Sequence, residues 1–175
     1  MRRITILTTG GTIEKTYDEF TGELANQRSI VRRMLKRLRL DDTDITVTEL
    51  MSKDSQDLTD DDRAEILAAV GSALAAQPAP TAILILHGTD TLAVTGELLL
   101  RELPELPVPI ILTGAMRPFL MTRSDGVQNL TESIFAAGVL PPGVWCVFHG
   151  KALPFPGVVK DRSRGTFVGA EESRE

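Results

Sequence analysis

Two short segments carry hydroxyls in a setting that suits acyl transfer: Thr9-Gly10-Gly11-Thr12 and His87-Gly88-Thr89-Asp90-Thr91. A double glycine removes side chains at a turn, so a ligand or another backbone can approach closely and amide N–H groups are left free to donate. A threonine hydroxyl beside such donors suits a nucleophile with an adjacent oxyanion hole for a tetrahedral intermediate. The competing readings are a tight strand-to-helix turn or a dinucleotide loop. The loop is the poorer of these, because the segment lacks the third glycine of the dinucleotide fingerprint and the Lys-Ser/Thr ending of a P-loop. The second segment adds another hydroxyl and a carboxylate, although Thr89 or Asp90 would also serve as a simple helix cap. Capping alone does not explain two threonine-bearing glycine turns at strand ends that would lie side by side in one sheet.

The strands that would present these turns are short apolar runs rich in β-branched residues: Ile4 to Thr8, Ile45 to Leu50, Ala82 to Leu86, Val108 to Thr113 and Val144 to Phe148. They alternate with helical patterns, and each is apolar on both faces, which predicts an α/β fold: a mostly parallel sheet with helices on both sides, three layers in all. Helices are expected over Ile30 to Leu40, Thr59 to Gln77, Thr91 to Leu103 and Asp125 to Ala137. Thr59 and the aspartates that follow it suit a helix N-terminus. After Pro141 the prolines and glycines predict loop-rich surface or an edge hairpin. No linker or repeat divides the chain, so residues 1–175 are expected to form one domain. In open α/β sheets ligands bind beyond the carboxyl ends of the strands. That gives priority to four clusters: Thr9 to Thr12, Ser52 to Asp57, His87 to Thr91, and Thr113-Gly114-Ala115.

Composition narrows the function classes. A chain of 175 residues that is 42% hydrophobic can bury a substantial core. Its net charge of −5 argues against a nucleic-acid partner. The one basic cluster, Arg32, Arg33, Lys36, Arg37 and Arg39, has no interleaved aromatics for base stacking and reads as a solvated helix face. The apolar stretch Ile4 to Thr9 is too short for a signal peptide or a membrane span, so a cytoplasmic protein with no membrane partner is expected. The single cysteine, Cys146, sits among Trp145, Val147 and Phe148 and reads as a buried strand residue. His87 and His149 lack a clustered third ligand, so no metal is expected, and His87 is expected to hydrogen-bond within the loop that presents Thr89.

Taken together the segments resemble the bacterial-type L-asparaginase and glutaminase-asparaginase family, whose two active-site signatures are similar to TTGGTI (Thr8 to Ile13) and LHGTDTL (Leu86 to Leu92). Ser55-Gln56-Asp57, Thr113-Gly114-Ala115-Met116-Arg117-Pro118 and Ser124-Asp125-Gly126 with Asn129 resemble further family segments, in the same order. The resemblance implies Thr12 as primary nucleophile, Tyr17 as the tyrosine of a mobile loop, and Thr89, Asp90 and Lys160 as a second catalytic group. Lys160 is placed by the looser match Val158-Val159-Lys160-Asp161. It also implies a substrate site of Gly11, Ser55, Gln56, Gly88, Asp90 and Ala115. Asp90 would receive the amino group of L-asparagine, and Ser55 with Gln56 its α-carboxylate. No cofactor is implied, and a homo-oligomer, dimer or tetramer, is expected. Family members carry a second domain after the segment around Phe167. The chain is therefore either a short form complete in one domain or a fragment, and the polar tail Glu171 to Glu175 favours the first. The implied activity is hydrolysis of L-asparagine to L-aspartate and ammonia. Its rivals are glutaminase or amidotransferase-type action on a larger amide, and an idle amino-acid-binding module.

Overall fold

A computed structural model describes residues 1–174. Its centre is a six-stranded sheet built from β1 (Arg2–Gly10), β4 (Thr43–Lys53), β5 (Ala82–Leu86), β6 (Pro109–Thr113), β7 (Gly143–Phe148) and β8 (Lys151–Pro154). The strand order is β4-β1-β5-β6-β7-β8, parallel except for the antiparallel edge strand β8. Two small hairpins stand outside it: β2 (Thr16–Asp18) with β3 (Glu23–Ala25), and β9 (Val158–Asp161) with β10 (Thr166–Gly169).

Side-chain alternation explains the layers. On β5, Ala82, Leu84 and Leu86 enter one core with α1 (Val31–Leu35) and α4 (Gly126–Ala136), while Ile83 and Ile85 enter the other with α2 (Asp60–Leu74) and α3 (Leu92–Glu102). All five side chains are fully buried, and each larger one contributes roughly 1.5–3 kcal/mol by leaving water. Thr59 caps α2 through a capping box with Asp62, which lays a carboxylate at the positive helix end. The expected α/β architecture is therefore the one the chain adopts, with the expected strands and helices in place within a few residues.

Three expectations need correction. The helix drawn from Ile30 to Leu40 is α-helical only over Val31–Leu35, after which the amides of Arg37 and Leu38 bond three residues back in tighter turns. Its basic face is also not simply solvated: Arg32 donates to the Val47 carbonyl at 3.2 Å, and Arg37 lies over the Phe119 ring at 4.7 Å. Second, the run Ile45 to Leu50 is not covered on both faces. It belongs to β4, an edge strand, and only Val47 of that strand is buried. Third, the stretch after Pro141 does form the expected edge hairpin, β7 with β8, but it is not only surface, because Phe155, Val158 and Phe167 complete the core on the α3 side. Gly96 on α3 has no side chain because the Phe155 ring occupies the place of its Cβ. Cys146 is buried as expected, and burial pushes its thiol pKa up. No helix among the described residues is long and apolar enough to cross a membrane. At the tail, Glu172–Arg174 forms a single 3-10 turn and Glu175 lies outside the described residues.

Candidate active site

Because β1 and β5 are neighbours in the sheet, their carboxyl ends bring the two glycine turns together. Gly10 and Gly11 both have positive φ, 96° and 74°, a region that only glycine enters without strain. A Cβ on Gly11 would lie 2.4 Å from Gly88 Cα, and one on Gly88 would lie 2.5 Å from Ser55 Cβ. Glycine at 11 and 88 is thus what allows three segments to converge in direct contact.

Thr12 opens a single 3-10 turn that ends at Glu14. The free amide donors expected of Gly10 and Gly11 are not free: Gly10 N–H donates to Glu14 Oε2 at 3.2 Å and Gly11 N–H to the Lys53 carbonyl at 2.8 Å. Both glycines are buried, and a buried amide needs an acceptor, so their role is to hold the turn. Glu14 is itself buried. It also accepts from the Ser29 hydroxyl and the Ile30 amide, and burial raises its pKa more than these bonds lower it. Asn26 donates to the Gly11 carbonyl at 2.8 Å, so both ends of the segment containing β2 and β3 are tied to the Thr12 turn. Tyr17 lies on β2 and is 65% exposed.

The Thr89 side is more closely bonded. His87, fully buried, places Nδ1 at 2.8 Å from the Gly88 carbonyl and Nε2 at 2.8 Å from Thr95 Oγ1. A carbonyl only accepts, so Nδ1 carries the proton and Nε2 receives the Thr95 hydroxyl. Burial presses the His87 pKa down to about 4, which keeps the ring neutral. The histidine does bond within the loop that presents Thr89, as expected, and it also ties that loop to α3.

Neither Thr89 nor Asp90 caps α3. Thr91 holds the N-cap position, and its hydroxyl donates instead to the Ser55 carbonyl at 2.8 Å. Lys160 Nζ donates to Thr89 Oγ1 at 2.7 Å and to Asp90 Oδ1 at 3.0 Å, while Gln56 Nε2 donates to Asp90 Oδ2 at 2.9 Å. Burial pushes the Asp90 carboxyl up, but the bonds from Lys160, Gln56 and Arg162 outweigh it and hold the pKa below its ordinary value. Ala115 is buried after β6, where Asn129 donates to the neighbouring Gly114 carbonyl at 3.0 Å.

Among the sequence-derived residues, Thr89, Asp90, Lys160 and Gln56 therefore form one hydrogen-bonded group. Gly11, Gly88 and Ser55 pack against each other beside it. Thr12 adjoins the group through Gly11, whereas Tyr17 stands away in solvent on its hairpin. Four features lie beyond the sequence reading. Arg162 Nη2 donates to Asp90 Oδ1 at 2.8 Å, and its position two residues from Lys160 is a usable signal. Lys15 pairs with Asp54 at 2.6 Å, joining the Thr12 turn to the Ser55 segment. Glu14 anchors that turn. His149 Nε2 lies 2.8 Å from Asp125 Oδ2, and Asp125 also accepts from the Met116 and Arg117 amides, which fixes the loop after Ala115. No local pattern flags these last pairings.

Fold and site together define a doubly covered α/β domain with two threonine turns at adjacent strand ends. A family model described as Asparaginase, N-terminal, matches residues 3–167, and the chain belongs to that family. The L-asparaginase of Thermococcus kodakarensis is 30% identical over 163 residues, 93% of this chain and 49% of that protein. Its solved structure matches with a TM-score of 0.83, covering 95% of this chain and 51% of that one. L-asparaginase 1 of Escherichia coli K12 is 33% identical over 157 residues, 87% of this chain and 45% of that protein. A glutamyl-tRNA(Gln) amidotransferase subunit of Methanococcus vannielii is 30% identical over 153 residues, 86% of this chain and 35% of that protein. The chain thus spans about half the length of the L-asparaginases it matches.

Proposed function

We propose that the chain hydrolyses the side-chain amide of L-asparagine to L-aspartate and ammonia with a threonine nucleophile. The observation that carries this reading is the Lys160 contact with both Thr89 Oγ1 and Asp90 Oδ1, at 2.7 and 3.0 Å, directly beside the Gly11–Thr12 turn. A threonine hydroxyl is a weak nucleophile at neutral pH and needs a partner to take its proton. In the proposed sequence Thr12 Oγ1 attacks the carboxamide carbon, and when the hairpin folds inward the Tyr17 hydroxyl relays the proton, accepting it from Thr12 as it gives its own to the departing nitrogen. The C–N bond breaks, ammonia leaves with the relayed proton, and an acyl ester remains on Thr12. Water, handled by Thr89 with Lys160 exchanging a proton at its hydroxyl, releases aspartate. Asp90 balances positive charge on Lys160 and receives the substrate ammonium, and Ser55 and Gln56 line the carboxylate side.

The similarity to the tRNA-dependent amidotransferase supports a second reading, in which the same groups act on an amide carried by a larger molecule. Ammonia release from L-asparagine, L-glutamine and a peptidyl asparagine separates the two. The first reading expects turnover of free L-asparagine and its loss in Thr12→Ala and Thr89→Ala. Wild-type rates in both variants would overturn the threonine mechanism. Thermal stabilisation by L-asparagine without ammonia would identify an idle binding module.

A further inference from the structure

Asp90 already faces two cations, although under the reading above it is to receive a substrate ammonium. Oδ1 accepts from both Lys160 Nζ at 3.0 Å and Arg162 Nη2 at 2.8 Å, and Oδ2 accepts from Gln56. Oδ2 could still accept a further bond, but an added ammonium would be a third cation around one carboxylate, so releasing one of the two already there relieves the repulsion. Lys160 is held by Thr89 and its side chain is only 17% exposed. Gln56 is neutral and lies on the other oxygen. The Arg162 side chain is 71% exposed, so its guanidinium has water to move into at little cost.

The backbone beneath Arg162 is built to stay in place while the side chain moves. Asp161 Oδ1 accepts from the Ser163 amide at 2.9 Å, the Ser163 hydroxyl at 2.7 Å and the Arg164 amide at 3.0 Å, which locks the turn between β9 and β10. Arg164 is occupied with Glu172 at 2.8 Å and offers no competing cation to Asp90. A guanidinium released from Asp90 therefore remains at the mouth of the site with its charge unmatched.

We propose that Arg162 is a specificity-determining residue: a free α-amino acid inserts its two charges into the Asp90–Arg162 ion pair. The substrate ammonium takes the place of Arg162 on Asp90 Oδ1, and the displaced Arg162 guanidinium pairs with the α-carboxylate. The two substrate charges are separated by a single carbon, so a zwitterion spans the opened pair and preserves charge balance throughout. A ligand with an ammonium but no carboxylate would open the pair and leave the guanidinium unmatched. The site thereby selects free α-amino acids over amides whose α-carboxyl is blocked, using residues of this chain alone. This inference rests on the asparaginase reading given above.

The test compares L-asparagine with its α-methyl ester, reading ammonia from the side-chain amide of both. Wild-type protein has the lower KM for L-asparagine. In Arg162→Gln the ratio of the two KM values falls about fivefold, the scale of one exposed charge-assisted contact, with the change in KM rather than kcat. Arg162→Lys retains part of the ratio because it keeps the charge but loses the planar fork. If Arg162 merely competes for Asp90, both KM values fall together in Arg162→Gln and the ratio is unchanged, which overturns the proposal while leaving the asparaginase reading intact. Absence of ammonia from the wild-type protein with either compound would overturn that reading and this one together.

Discussion

The two threonine turns begin alike in sequence and end in different states. Thr89 sits buried in a closed network in which Lys160, Asp90, His87 and Thr95 all have partners. Thr12 sits on a turn that is equally well anchored underneath, by Glu14 and Lys53, yet the residue proposed to act on its hydroxyl, Tyr17, faces solvent. The difference follows from where each partner is carried. Lys160 comes from a hairpin whose Val158 and Phe167 are buried in the core, whereas Tyr17 comes from a hairpin whose Phe20 is 93% exposed. A hairpin with core side chains is held along its length, whereas one tied only at its ends is held less firmly between them. One half of the proposed site is thus held in place by core packing, and the other is not.

The strongest way to break this asymmetry is to disable the assembled half. Lys160→Met is expected to lower kcat for ammonia release about 10²- to 10⁴-fold, the range for losing a positioned proton-transfer group. The fold should persist, since Arg162 still neutralises Asp90. An unchanged kcat would mean that Thr89 works without the network.

The junction between the halves can be strained separately. Gly11→Ala puts a Cβ 2.4 Å from Gly88 Cα at φ 74°, whereas Gly22→Ala has the same φ with nothing within 4 Å. Urea unfolding should show a loss of about 1–2 kcal/mol for Gly22→Ala, the left-handed backbone penalty alone. Gly11→Ala should lose more, about 3 kcal/mol or above, because two backbones must separate. Equal losses would mean that the two turns are not in firm contact.

The smallest effect sharpens the picture of the assembled half through pH. The His87 pKa is depressed from 6.5 to about 4, so the folded protein resists protonation that the unfolded chain accepts. Its contribution is present above pH 6.5 and is lost as pH falls towards 4, amounting to about 3 kcal/mol when lost completely, although only part is lost above pH 4.5. Glu14 works in the opposite sense: with its pKa raised from 4.5, it removes stability as pH rises through that value. Comparing wild type with His87→Gln across pH 4 to 7 isolates the histidine, because Glu14 is common to both. A stability profile that is parallel in the two proteins would show that His87 is not the titrating group.

The fold is legible in the sequence wherever local pattern reports burial. Ala82 to Leu86 can be read with its true bounds, and Thr59 as the start of α2, because an unbroken apolar run and a capping residue act over a few positions. Legibility fails at the edges. Ile45 to Leu50 has the residues of a covered strand, but only strand order makes it an outer one. In the site, the threonine turns and Lys160 are recognisable through family motifs. Arg162 is signalled only by its spacing from Lys160, and Glu14 and the His149–Asp125 pair not at all, because each matters only through a partner brought near by folding.

What the sequence determined by itself was which residues could do chemistry and which strand ends would carry them, since periodicity and turn residues encode local conformation. Tertiary structure alone decided which of those groups are engaged. Lys160 reaches Thr89 across 71 positions and Asp90 across 70, a pairing that depends on how the β9–β10 hairpin packs against the sheet. It also committed the Gly10 and Gly11 amides to Glu14 and Lys53. A hydrogen bond requires its two atoms within about 3 Å, and separation along the chain carries no information about that distance until the core has formed.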